Sequence, residues 1–211
     1  MGDLFSLEGV PERLPLEGAE VVFYRSFFSE DESRVFFASL VEDTPWRQEE
    51  IVIWGKKVRQ PRLTAWYGDS SKSYSYSGLI LNPLPWTEDL LKIRAKVEKA
   101  CGFVFNSVLL NLYRSNEDSM GFHSDDEPEL GLRPTIASVS FGAERDFVLK
   151  SKKNRNLTFK LSLGSGSLLV MGGDTQTNWK HGVPKSTRPR GARLNLTFRN
   201  ILNRARSQSS G

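Results

Sequence analysis

The sequence predicts a mainly β domain of the α+β class: a sandwich or barrel of short antiparallel strands buttressed on one side by two helices. Three observations predict it. Short apolar runs recur at 103–113, 135–141, 145–149, 156–161, 167–171 and 193–199, separated by Gly, Pro, Asn and Asp, which is the punctuation of many short strands. Two amphipathic helical patterns precede those runs, and helices early with strands late favour an antiparallel sheet over alternating βαβ units. The 211 residues are 38% hydrophobic, with 13 Phe and 5 Trp, enough apolar surface for one sizeable core.

Taken in order, residues 1–18 are broken by Pro and Gly and read as an irregular lead-in. Residues 19–102 read as an N-terminal extension carrying the helices. Within it Glu20–Tyr24 reads as a strand. Ser29 followed by Glu32 is a capping box, and Val35, Phe36, Leu40 and Val41 form the apolar stripe of the helix it opens. Residues 46–67 alternate as strands around a turn at Trp54–Lys57. Thr87 caps a second helix, whose Leu90, Ile93, Val97 and Ala100 face one way before Gly102 stops it. Residues 103–202 hold the β core, and 203–211 form a polar, flexible tail.

Composition narrows the function classes. The formal charge of +4, from 29 Lys and Arg against 25 Asp and Glu, permits a polyanionic partner without requiring one. A single cysteine, Cys101, excludes an internal disulfide and a Cys-rich zinc site. At the apolar end of a helix it reads as a core residue in a reducing compartment. No apolar run is long enough to cross a bilayer, no secretory segment follows Met1, and the Gly2/Ser6 match to an acylation pattern lacks a supporting basic cluster. The expected setting is cytoplasm in a bacterium or nucleus in a eukaryote, not secretion, with the chain acting as a monomer.

The chain has two histidines, in Gly121-Phe122-His123-Ser124-Asp125 and Trp179-Lys180-His181-Gly182. On an extended segment, residues i and i+2 point to one face, so His123 and Asp125 converge. His181, returned by a later strand, completes two imidazoles and one carboxylate, the facial set of non-haem iron(II) oxygenases. An isolated His-x-Asp is a weak signal, and similar sets serve hydrolytic zinc. The strand Arg193–Arg199 adds weight to iron. Leu194, Leu196 and Phe198 face one way and Arg193, Asn195, Thr197 and Arg199 the other. Arginines in a pocket demand an anion, because an unpaired buried guanidinium is costly. A dicarboxylate that chelates a metal at one end and meets arginine at the other satisfies both. Asn111 and Tyr113 share a face of their own strand and add polar groups.

These stretches, with Asn111-Leu112-Tyr113, Asp126-Glu127, the run Ile136–Gly142 and Trp179-Lys180-His181, resemble the AlkB family of iron- and 2-oxoglutarate-dependent dioxygenases over about residues 51 to 202. The similarity is strongest to members that repair alkylated DNA. It implies a double-stranded β-helix, or jelly-roll, with an N-terminal nucleotide-recognition lid. It implies iron(II) on His123, Asp125 and His181, which are also the catalytic centre. It implies 2-oxoglutarate on Asn111, Tyr113, Arg193, Asn195 and Arg199 with Thr197 nearby, and O2 as co-reactant. The implied reaction hydroxylates an N-methyl group of a base such as N1-methyladenine or N3-methylcytosine and releases formaldehyde.

The same resemblance implies that Trp54 fills the gap left by a flipped base, that Tyr76 and Tyr74 stack on it, and that Arg62, Asp126 and Glu127 line its pocket. Lys56 and Lys57, with Arg59, and Lys150, Lys152, Lys153, Arg155 and Lys160 are the expected backbone contacts. Alkylated DNA, single- or double-stranded, is the expected partner, with RNA as a second candidate and no membrane. The competing readings are an RNA demethylase or protein hydroxylase of the same superfamily, and a non-catalytic nucleic-acid-binding barrel.

Overall fold

The computed structural model describes residues 9–53, 55–70, 74–76 and 79–202, with side chains undescribed at 51–53, 74–76 and 79–81. Its chain runs through β1 (Pro11–Arg13), β2 (Glu20–Tyr24), α1 (Glu30–Asp43), β3 (Glu50–Ile53), β4 (Lys56–Arg59), β5 (Leu63–Gly68), β6 (Tyr74–Tyr76), β7 (Leu79–Leu81) and α2 (Glu88–Cys101). It continues through β8 (Ser107–Tyr113), β9 (Met120–His123), β10 (Ile136–Gly142), β11 (Arg145–Ser151), β12 (Thr158–Leu163), β13 (Ser167–Gly172), α3 (Thr175–Asn178), β14 (Trp179–Val183) and β15 (Arg193–Arg199).

Two antiparallel sheets carry the site. The larger has seven strands in the order β1-β2-β13-β10-β15-β8-β5, and the smaller has four, β12-β11-β14-β9. From β8 onward the chain passes repeatedly between the sheets, which is the double-stranded β-helix arrangement. Two short hairpins, β3–β4 and β6–β7, stand apart from them.

The larger sheet is buried on both faces. On one face Leu194, Leu196 and Phe198 of β15 join Val139 and Phe141 of β10, Leu40 of α1, and Leu90, Ile93 and Val97 of α2. On the other, Tyr113, Ile136, Leu169 and Met171 meet Phe147, Leu149, Trp179 and Val183 of the smaller sheet. The polar face of β15 therefore looks into the space between sheets.

Local signals explain the helices. Ser29 Oγ accepts from Glu32 N at 3.2 Å while Glu32 Oε2 accepts from Ser29 N at 2.8 Å, so the capping box is formed at both ends. Thr87 Oγ1 accepts from Leu90 N, and Gly102 closes α2 in the left-handed conformation at φ 68°. Cys101 lies half-buried there, and burial pushes its thiol up to about 11, as befits a packing residue.

The described part of the lead-in, residues 9–18, is more ordered than its Pro/Gly content predicts. Pro11–Arg13 pairs with β2, and Leu14 and Leu16 are buried; apolar contacts made in three dimensions override the local signal. β2 and β5, from the N-terminal extension, pair into the same sheet as β8, β10, β13 and β15.

Candidate active site

His123 ends β9, and His181 sits opposite it on β14 in the antiparallel register. The two strands approach closely at Gly182, where a Cβ would stand 2.9 Å from Met120 O, so a side chain there would force them apart. The imidazole centroids are 4.4 Å apart. Asp125, just past β9, is buried; its Oδ1 lies 3.9 Å from His123 Nε2 and its Oδ2 3.8 Å from His181 Nε2. The three candidate ligand atoms all lie within 4.8 Å of one another.

Supporting groups fit these side chains to a divalent ion. His123 Nδ1 stands 3.0 Å from Gly121 O, an arrangement that assigns the proton to Nδ1 and leaves Nε2 its lone pair. Burial pushes the His181 imidazole down to about 4, which keeps it neutral and able to ligate. Burial alone would raise the Asp125 carboxyl, but Arg199 and the two imidazoles outweigh it and hold it below the usual range. His181 also stacks on Phe147 at 5.3 Å between centroids.

The same cavity is lined by Asn111, Tyr113, Arg193, Asn195, Thr197 and Arg199 as well as the three candidate ligands. The two arginines make different contacts. Arg199 Nη2 donates to Asp125 Oδ1 at 2.6 Å, bracing the carboxylate. Arg193 is fully buried; its Nη2 donates to Ser140 Oγ at 2.9 Å, its guanidinium lies 5.2 Å over the Tyr113 ring, and Nε and Nη1 have no hydrogen-bond partner among the described residues. Two idle donors on a buried cation fit a carboxylate. Asn195 Nδ2 donates to Ser138 Oγ, and Thr197 Oγ1 donates to Asn195 Oδ1.

Other expected site residues lie around this core. Arg62 is buried outside the cavity lining and reaches it through Asn111, whose Oδ1 accepts from Arg62 Nε at 2.9 Å. Asp126 is exposed and pairs with Lys152 at 3.1 Å. Glu127 is part-buried, with Oε2 shielded and without a hydrogen-bond partner among the described residues. Lys56, Lys57, Lys150, Lys152, Lys153 and Arg155 are exposed. Trp54 lies outside the described residues, as do the side chains of Tyr74 and Tyr76, although their backbone forms β6.

Several lining residues fall outside the site residues expected from the sequence. Ser138, Leu109, Met120, Phe147, Met171 and Val183 complete the walls. Gln176 of α3 is buried, and its Oε1 accepts from Asp125 N at 3.0 Å. Arg145, also buried, donates to the carbonyls of Ser115, Asp118 and Pro184 and ties the β8–β9 connection to the segment after β14. A lone Gln or Arg in a short segment has no pattern to reveal such a duty.

Comparison with known proteins agrees with this geometry. Residues 20–199 match the 2OG-Fe(II) oxygenase superfamily. The human alpha-ketoglutarate-dependent dioxygenase alkB homolog 3 is 41% identical over 196 residues, covering 89% of this chain and 68% of the relative. The mouse DNA oxidative demethylase ALKBH2 is 39% identical over 189 residues, covering 85% and 79%. The solved structure of OsALKBH1 superimposes with a TM-score of 0.61 at 19% identity, covering 90% of this chain and all of that one, a likeness of fold.

Proposed function

The chain belongs to the AlkB family of the 2OG-Fe(II) oxygenase superfamily, and on that premise we propose that it oxidatively demethylates N-alkylated bases, of the N1-methyladenine and N3-methylcytosine type, in DNA. The observation that carries the proposal is the convergence of His123, Asp125 and His181 within 4.8 Å, beside a buried Arg193 with two idle donors. His123, Asp125 and His181 would hold iron(II), with Arg199 fixing the carboxylate. Arg193 would grip the far carboxylate of 2-oxoglutarate, with Tyr113, Asn111 and Asn195 beside it.

With iron bound, O2 and 2-oxoglutarate supply the oxidation: 2-oxoglutarate becomes succinate and carbon dioxide, one oxygen atom enters the N-methyl C–H bond, and the resulting N-hydroxymethyl base expels formaldehyde. The chain's own part is positioning. Leu109, Met120, Phe147 and Val183 wall the cavity with apolar surface that keeps water away. His123, the more exposed of the two imidazoles, borders the mouth through which a base arrives. A base inside a duplex cannot reach a metal held this way, so the nucleotide is extruded or already single-stranded. Trp54 as gap filler and Tyr74 and Tyr76 as stacking partners belong to this proposal. One chain carries every residue of the site, so a monomer suffices.

The test is formaldehyde release from a methylated oligodeoxynucleotide with iron(II), 2-oxoglutarate and O2, alongside methylated RNA and methylated peptide in competition. Release from DNA that disappears in His123→Ala is the expected result. Undiminished release in that variant would sink the reading, and preference for RNA or peptide would move the substrate class.

A further inference from the structure

Resting on the reading that the substrate is nucleic acid, we propose that the solvent face of the four-stranded sheet binds single-stranded nucleic acid flanking the target nucleotide, in a groove lined by Lys150, Lys180 and Arg155 and flanked by Phe122. His123 and His181 point between the sheets, so Lys180, the neighbour of His181, points outward by strand alternation. Phe122 lies where the β9–β14 register shifts, and its exposure and the Lys150 Nζ over its ring place it on the same outer face. Lys150 pairs with Lys180 across β11 and β14, which puts both cations side by side on that outer face. Together with Ser151, Lys152 and Arg155 they line one concavity.

Charge pairing distinguishes this groove from an ordinary solvated surface. Lys152 is matched by Asp126 at 3.1 Å and Lys160 by Asp146 at 2.9 Å. Lys150, Lys180 and Arg155 have no carboxylate partner among the described residues. Like charges directly opposite on neighbouring strands repel, and an anion laid between them relieves the repulsion.

The aromatic gives the anion its class. Phe122 is 40% exposed on β9, and Lys150 Nζ sits 4.0 Å from its ring centroid. A cation beside an exposed ring is the pairing that holds single strands, phosphate on the ammonium and base on the ring. β9 is an edge strand of its sheet. A chain crossing that edge sets one nucleotide at His123 on the inner face and its neighbour at Phe122 on the outer. Lys152, bonded to Asp126 and to Gln176 O, closes the groove at the end nearest Asp125.

The test uses the full chain without iron, so that binding is read apart from catalysis. A labelled oligothymidylate of roughly twelve nucleotides and an abasic strand of the same length are titrated by anisotropy over a range of salt. Phe122→Leu should weaken the base-bearing strand about tenfold and leave the abasic strand unchanged. The double change Lys150→Ala/Lys180→Ala should weaken both strands and reduce the slope of log K against log salt by about 1.4, the share of two phosphates on a single strand. Equal effects of Phe122→Leu on both strands, or no effect on either, would overturn the stacking role. An unchanged salt slope in the double variant would overturn the phosphate role. Failure here while the wild type still releases formaldehyde from methylated DNA removes the groove alone. No release despite these binding effects removes the demethylase reading alone.

Discussion

Burial sets the ionisation of His181, lowering its pKa to about 4 against the attraction of Asp125, while His123 adds repulsion. Because the folded value lies below the unfolded one of 6.5, the unfolded chain takes up the proton first. Stability of the metal-free protein therefore falls as pH drops from 6.5 toward 4, by on the order of 3 kcal/mol. The Asp125 carboxyl is also depressed, so its contribution is complete above the ordinary carboxylate range and fades only at the acid end. Melting curves of chelator-treated protein should show Tm falling across that window and a flatter profile for His181→Asn; a flat wild-type profile would contradict the assignment. Arg193 invites a second measurement. Since two of its nitrogens are buried without hydrogen-bond partners among the described residues, Arg193→Met should cost the ligand-free protein little or even stabilise it, while abolishing the Tm rise that 2-oxoglutarate produces in the zinc-loaded form. At this scale the sequence was informative where a pattern existed. The alternation of Arg193–Arg199 and the His-x-Asp triplet are visible in one dimension. Which guanidinium meets Asp125 is not, because it depends on how the sheets pack.

At the scale of elements, the capping box at Ser29, the Gly102 stop and the apolar alternation of β15 follow from local chemistry, and all three are legible. β9, β14 and α3 are not. Met120–His123 is only four residues long and meets β14 with a shifted register, Trp179–Val183 mixes an aromatic, a lysine and a glycine, and Thr175–Asn178 spans a single turn. Their conformations are imposed by pairing with distant strands. The largest consequence falls on Gln176, which α3 delivers to the backbone N–H of Asp125. Gln176→Leu keeps the bulk but leaves that buried donor unpaired, a cost of about 1–3 kcal/mol. Freed from its anchor, Asp125 should also bind metal more weakly, by about 10- to 100-fold. Gln176→Glu retains an acceptor and should restore most of the affinity. Isothermal titration with zinc measures both variants; equal affinity of wild type and Gln176→Leu would show that Asp125 is positioned by Arg199 alone.

The whole molecule is organised so that neither sheet contains the site. His123 and His181 belong to the four-stranded sheet, whereas Asn111, Tyr113, Arg193, Asn195, Thr197 and Arg199 belong to the seven-stranded one. On the proposed reading a metal ion alone would engage chiefly the smaller sheet and Asp125, and 2-oxoglutarate alone would have Arg193 but nothing to chelate. Bound together, the acid would meet the ion at one end and the guanidinium at the other, so the pair would bridge the two sheets. The two ligands should therefore be positively coupled, each tightening the other by the same factor. Thermal melts in a two-by-two design, with and without zinc and with and without 2-oxoglutarate, read this directly. A ligand at one hundred times its dissociation constant adds about 2.7 kcal/mol, or about 5–10 °C for a domain of this size. The joint shift should exceed the sum of the separate shifts, and Arg193→Met should return it to that of zinc alone. A strictly additive wild-type response would mean that the ion and the acid bind without sharing a contact, and the cavity between the sheets would then hold something other than a chelated keto acid.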